Sequence, residues 1–156
     1  MNGFMLFIAK WLSLGFGSGK APVAPGTFGT LAAIPIYLLV ANASPTIYLL
    51  LTIIFFVIGI WACDKYSKYL GVHDHGSIVW DEVVGYLITM AFVVPDIVSV
   101  LLGFILFRLF DIWKPFPIKQ LDEKVHGGLG IMIDDVLAGI YAALVLQLIL
   151  HFAGGV

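Results

Sequence analysis

The sequence predicts an all-α, polytopic integral membrane protein with about four to five membrane-embedded helices and an N-terminal helix lying at the interface. Three observations carry that prediction. Apolar residues make up 61% of the 156-residue chain and charged residues only 12%, about half the charge of a soluble domain, and the mean hydropathy is +1.05. So few charges cannot cover a small soluble fold, so lipid must cover much of it. The apolar residues gather in runs approaching the roughly 20 residues that a helix needs to cross the hydrocarbon core. The basic residues are confined to one set of connections. The length suits a single membrane-embedded domain, residues 1–156.

Phe4–Leu14 reads as the interfacial helix, because Lys10 interrupts its apolar face. With no basic n-region, the first residues do not resemble a cleaved signal peptide. Phe28–Ala41 is short and contains Pro35, which suits a tilted or half-embedded helix. Ile47–Cys63 is the clearest span, with no charge in it. Ile78–Val94 carries Asp81 and Glu82 near its start, and Ile97–Trp113 carries Arg108 and Asp111 near its end. Ile131–Phe152 carries Asp134 and Asp135 near its start. Short turns fall at Asn42–Pro45 and Pro95-Asp96, and longer polar connections at Asp64–Ser77 and Lys114–Gly130. One internal echo is visible: Asp81–Gly85 (DEVVG) and Asp134–Gly139 (DDVLAG) each set two carboxylates before small residues.

If the spans alternate, Lys10, Lys20, Lys65, Lys68, Lys114, Lys119 and Lys124 all fall on one side, and the opposite connections hold no Lys or Arg. The positive-inside rule makes the lysine side cytoplasmic. The net charge of −2 offers no basic stripe for nucleic acid. A lone cysteine, Cys63, precludes a disulfide within the chain.

On that topology Asp81, Glu82, Asp111, Asp134 and Asp135 share one depth on the cytoplasmic side. Ionisable groups within spans are costly and usually face a partner or a wet cavity. Five carboxylates together repel one another unless a cation neutralises them, and hard oxygen ligands suit Mg²⁺. The alternative is a set of helix-start acids stabilised by the macrodipole. It fits Asp111 poorly, because a carboxylate near a helix C-terminus opposes the dipole. Arg108 and Asp111, three apart, share a helix face; the guanidinium can serve as a fork for phosphate or as a plain counter-ion.

The loop Gly71–Ser77 sets His73 and His75 around Asp74, a candidate catalytic set with a histidine as proton donor to a leaving alkoxide. Zinc is poorly supported without further Cys or His ligands. His126, before Gly127 and Gly128, invites a similar role, whereas His151 reads as an interface residue. Gly15–Lys20 lacks the GxxxxGK[ST] spacing of a nucleotide loop, yet its backbone, with Ser18 and Lys20, could cradle a single phosphate; a flexible turn is the alternative. Other phosphatase chemistries fall away. The chain's one Arg lies 45 positions after Cys63, no DxDx[TV] run is present, and a pattern with two arginines is impossible. Metal-assisted displacement remains.

Four stretches, GFGSGKAPVAPGTFGTLAAIP, GVHDHGSIVWDE, FRLFDIWKPFPI and VHGGLGIMIDDVLAG, lie in that order between Gly15 and Gly139. Together they resemble the phosphatidylglycerophosphatase A family of bacterial inner-membrane enzymes. The resemblance implies Mg²⁺-dependent removal of the terminal phosphate of phosphatidylglycerol phosphate, a phospholipid of the cytoplasmic leaflet. Carried onto this chain, the metal candidates are Asp81, Glu82, Asp111, Asp134 and Asp135. The phosphate contacts are Arg108, Lys114, Ser18, Lys20 and His126. The expected mechanism is attack on phosphorus by water that Mg²⁺ activates, with a covalent aspartyl-phosphate route as its competitor. The competing function is a divalent-cation carrier, which needs acids near the bilayer midplane. A CDP-alcohol phosphotransferase would need a spaced-aspartate motif that the chain lacks.

Overall fold

The computed structural model of the chain describes residues 2–154. Among these the regular structure is entirely helical: α1 (Gly3–Ser13), a 3₁₀ segment (Gly15–Lys20), α2 (Pro25–Val40), α3 (Pro45–Leu70), α4 (Trp80–Thr89), α5 (Ile97–Trp113), α6 (Ile118–Lys124) and α7 (Gly127–Phe152). Local chemistry sets several ends. Ser44 caps α3 through the Ile47 N–H, Pro45 occupies its first turn, and Gly71 closes it in the left-handed region at φ 71°. Asp96 caps α5, accepting from Val98 N at 2.9 Å and Ser99 N at 3.0 Å. The Ser99 hydroxyl donates to the same carboxylate and, with those amides, holds it below its ordinary range.

By length and composition α3 and α7 suffice to cross a membrane. Leu39, Ile53, Ile97, Ile105 and Leu148, on four helices, all point outward and are more than half exposed. So apolar an exterior, with two helices long enough to cross, is consistent with a membrane-embedded chain. α2 contains Pro35 without breaking.

The Ile78–Val94 run departs from the expected span. Its helix covers only the ten residues of α4, about 15 Å at 1.5 Å per residue, and then gives way to irregular chain. Pro95 disfavours helix at Val94, and Phe92 takes a positive φ of 64°. Such backbone survives beside a lipid-facing shell only if other groups satisfy it. Tyr48 Oη donates to Leu87 O at 2.6 Å, Tyr37 Oη to Val93 O at 2.9 Å and Gln147 Nε2 to Ala91 O at 3.3 Å. The rings of Tyr37, Tyr48 and Tyr86 meet edge-on around α4, which is almost wholly buried.

α7 departs too. It begins at Gly127, so Asp134 and Asp135 lie two turns inside it rather than at its start, and the macrodipole account does not reach them. The glycines of that region mimic a loop signal in sequence. In the fold they let α7 press on α3: a Cβ on Gly128 would stand 2.8 Å from Asp64 Cβ. Asp64 belongs to α3, not to a connection, and its carboxylate accepts from Lys68 Nζ at 2.8 Å.

Candidate functional site

α4 and α7 run side by side in the same direction and touch backbone to backbone where each carries a glycine. A Cβ on Gly139 would stand 2.5 Å from Gly85 O. Asp81 lies four residues before Gly85 and Asp135 four before Gly139, so each carboxylate sits one turn from the contact on the same face. Close approach at the glycines thereby brings the two acids together. One oxygen each from Asp81, Glu82 and Asp135 falls in a cluster with all pairs within 4.8 Å.

This cluster is buried and short of partners. Asp81 is 8% exposed and Asp135 3%. Asp81 Oδ1, Glu82 Oε2 and Asp135 Oδ2 are enclosed with no hydrogen-bond partner. An orphaned buried carboxylate oxygen is expensive, and three converging carboxylates that each keep one are the donor set of a hard divalent cation. The residues fit such an ion. Asp111 and Asp134 are also charged neighbours of Asp135, so the wider set crowds further negative charge around it.

Two cations border the cluster. Arg108 pairs with Asp111 and stands 3.8 Å from Glu82 Oε1, while its Nε is buried without a partner. The start of α2 lies directly over it: a Cβ on Gly26 would meet Arg108 Nη1 at 3.0 Å and Nη2 at 3.2 Å. Ala24, in the left-handed conformation at φ 48°, turns the chain to set Gly26 there. Lys114 closes α5, also in the left-handed region at φ 46°, and its Nζ reaches Asp134 Oδ2 at 2.7 Å and Asp122 Oδ2 at 2.9 Å. Partial burial pulls the Lys114 ammonium down, but the hydrogen bonds and charges of Asp134 and Asp122 outweigh it and hold it above its ordinary value.

The remaining expected residues sit further out. His73 packs edge-on against His126 with ring centroids 5.2 Å apart. With Asp64, Ser67, Lys68 and Gly127 they line a cavity of about 390 Å³. His73 Nε2 would lie 3.5 Å from a Cβ on Gly130, one turn before Asp134 on α7, but none of the five candidate carboxylates lines this cavity. Asp74 is exposed, with Lys114, Asp122, His73 and Asp111 as its charged neighbours. His75 turns away and pairs through Nδ1 with Ser77 Oγ at 2.8 Å. Ser18 spends its hydroxyl on Gly15 O at 2.9 Å, and the exposed Lys20 ammonium stands over the Trp11 ring at 5.6 Å. Neither contacts the carboxylates. From the glycine-rich segment it is Gly26 that reaches the site.

The sequence reading passed over Gly26, Asp64 and Asp122. The signal for Gly85 and Gly139 was present in the echo, since Asp81-x-x-x-Gly85 and Asp135-x-x-x-Gly139 repeat one spacing.

Comparison with known proteins gives a consistent result. The family model described as Phosphatidylglycerophosphatase A matches residues 11–150. A protein of that name from Escherichia coli K12 is 49% identical over 141 residues, covering 90% of this chain and 82% of its own. One from Haemophilus influenzae is 50% identical over 137 residues, covering 86% and 83%. A Bacteroides thetaiotaomicron relative, provisionally named a phosphatidylinositol-3-phosphatase, is 40% identical over 145 residues, covering 87% and 89%. No solved structure matches.

Proposed function

The chain belongs to the phosphatidylglycerophosphatase A family, and from that premise we propose that it removes the terminal phosphate of phosphatidylglycerol phosphate. The products are phosphatidylglycerol and inorganic phosphate. We further propose that the reaction depends on Mg²⁺ and takes place at the cytoplasmic face of a bacterial inner membrane, where four to five helices embed the chain. The observation that carries the metal reading is the convergence of the Asp81, Glu82 and Asp135 carboxylates, each of which also has a buried oxygen without a partner.

A bound Mg²⁺ would supply a Lewis acid for the phosphoryl oxygens and lower the pKa of water. The chain's own residues supply the rest. Arg108 offers planar donors to equatorial phosphate oxygens, and its unpartnered Nε leaves capacity for them. Gly26 keeps that approach open, because any side chain there would occupy the guanidinium's space. A carboxylate of the cluster takes the proton of the attacking water. His73, beside Gly130 one turn before Asp134 on α7, returns a proton to the leaving glycerol oxygen.

The depth of the acids supports this reading over a divalent-cation carrier. Asp134 and Asp135 lie seven and eight residues after Gly127 in a 26-residue helix, about 11 Å along an axis of about 39 Å. They sit near one end, whereas a carrier needs them near the midplane. Lysine placement supports the cytoplasmic side.

The test is phosphate release by purified protein from phosphatidylglycerol phosphate, with Mg²⁺ and with a chelator, beside a phosphatidylinositol phosphate control. Release that needs Mg²⁺ and prefers the glycerol lipid is expected. Release indifferent to chelation would remove the metal, and preference for the inositol lipid would remove the substrate assignment.

A further inference from the structure

The structure assigns Lys114 the position of a second cation: its ammonium fills the Asp134–Asp122 half of the acidic region, so the protein holds one divalent ion and not two. This rests on the proposal that the Asp81–Glu82–Asp135 cluster binds a divalent cation, and it divides the five sequence candidates accordingly.

Many phosphoryl-transfer sites use two metal ions about 3.5–4 Å apart, and this chain has carboxylates enough for two. The two halves are not alike. Asp81 and Asp135 have no Lys or Arg within ion-pair distance among the described residues, whereas Asp134 and Asp122 share Lys114 Nζ at 2.7 and 2.9 Å. Mg²⁺ takes oxygens at about 2.0–2.1 Å in near-octahedral geometry, so it cannot occupy the same gap while the ammonium is there. Asp134 Oδ2 is committed to lysine, and its buried Oδ1 is the only oxygen it has left to offer.

The backbone is shaped to deliver this side chain. Lys114 ends α5 at φ 46° and ψ 59°, a conformation that glycine adopts readily and lysine does not. That turn starts the chain toward α6, where Asp122 lies, and leaves the ammonium between Asp122 and Asp134 of α7. An ammonium there offsets one of the two negative charges of the outer half and needs no ion from solution. Its third N–H is available to a phosphate oxygen.

The experiment counts bound Mn²⁺, a spectroscopic stand-in for Mg²⁺, by electron paramagnetic resonance on the full chain in detergent. One ion per wild-type chain is expected. Lys114→Ala should take up a second, weaker ion, and Lys114→Arg should keep one. Asp134→Asn should retain the single ion with affinity within about threefold of wild type, whereas Asp81→Asn and Asp135→Asn should weaken it at least tenfold. Two ions in the wild type, one ion in a folded Lys114→Ala, or loss of the ion in Asp134→Asn would each overturn the assignment. Should Lys114→Ala not fold, the Asp134→Asn and Lys114→Arg counts decide. A wild type that binds no Mn²⁺ would instead overturn the metal reading beneath it.

Discussion

Replacing Gly139 with alanine adds one methyl group at a helix crossing a full turn from the carboxylates. The new Cβ would stand 2.5 Å from Gly85 O and 3.2 Å from the Gly85 carbonyl carbon. Both are backbone atoms, so no side-chain rotation relieves the contact. Restoring a separation of about 3.5 Å moves α4 and α7 apart by about 1 Å. Two terms set the stability. Alanine gains about 1 kcal/mol of helix propensity over glycine, and overpacking costs about 1–3 kcal/mol, so the net loss is about 0–2 kcal/mol. Activity should respond far more. Asp81 and Asp135 ride on the separated helices, and a misplacement of about 1 Å costs on the order of a hundredfold. We expect Gly139→Ala to insert and melt within a few degrees of wild type while phosphate release and Mn²⁺ affinity fall steeply. Gly3→Ala, a helical glycine with nothing within 4 Å of its added Cβ, is the control and should change neither. Turnover within threefold of wild type in Gly139→Ala would show that the glycine crossing does not set the carboxylate spacing.

Asp81→Asn and Asp135→Asn should each lower turnover at least about a hundredfold while leaving the protein inserted, since metal and its electrostatic stabilisation supply several kcal/mol at the transition state; near-normal turnover in both would make the acids structural. Arg108→Lys keeps the charge but loses the planar fork, so it should insert normally yet lose most turnover, and Arg108→Gln with Asp111→Asn should stay inactive; rescue in that double variant would reduce Arg108 to a counter-ion. In a Cys63→Ser background, Gly76→Cys and Lys119→Cys should resist an impermeant thiol reagent added to intact cells, and Asn42→Cys should label; the reverse pattern would invert the orientation. Tyr48→Phe strips the donor from Leu87 O and should destabilise by about 1–3 kcal/mol, read as a lower melting temperature in detergent.

The apolar runs made α5 and the body of α3 legible, because composition and length decide such helices, although α3 continues past Cys63 to Leu70, through residues read as a connection. They mislead at α4 and at the start of α7. In α4, apolar residues continue past Thr89, and hydropathy cannot tell a span from irregular chain whose carbonyls are met by Tyr37, Tyr48 and Gln147. In α7, Gly127, Gly128 and Gly130 lower helix propensity, and their packing against α3 and Val125 overrides it. At the site, the carboxylates and Arg108 were legible because charge within apolar runs is costly. Their partition was not: that Lys114 meets Asp134 and Asp122 depends on a left-handed turn and on the course of α6, neither of which periodicity reveals. Nor does any local pattern reveal what the echo means, since its meaning lies in a crossing between segments more than fifty residues apart.

The order in which the chain is made has a bearing on that crossing. Asp81 and Glu82 are synthesised well before Asp135, and α4 is too short to be held by a bilayer as a segment of its own. During synthesis α4 must therefore shelter against the helices made before it, and Glu82 gains its counter-charge, Arg108, only with the next helix. Only when α7 arrives does Gly139 meet Gly85 and the third carboxylate join the other two. A ribosome-bound chain that stops short of α7 would then hold only two of the three carboxylates, so on the proposed metal reading acquisition of the ion would report that assembly is complete.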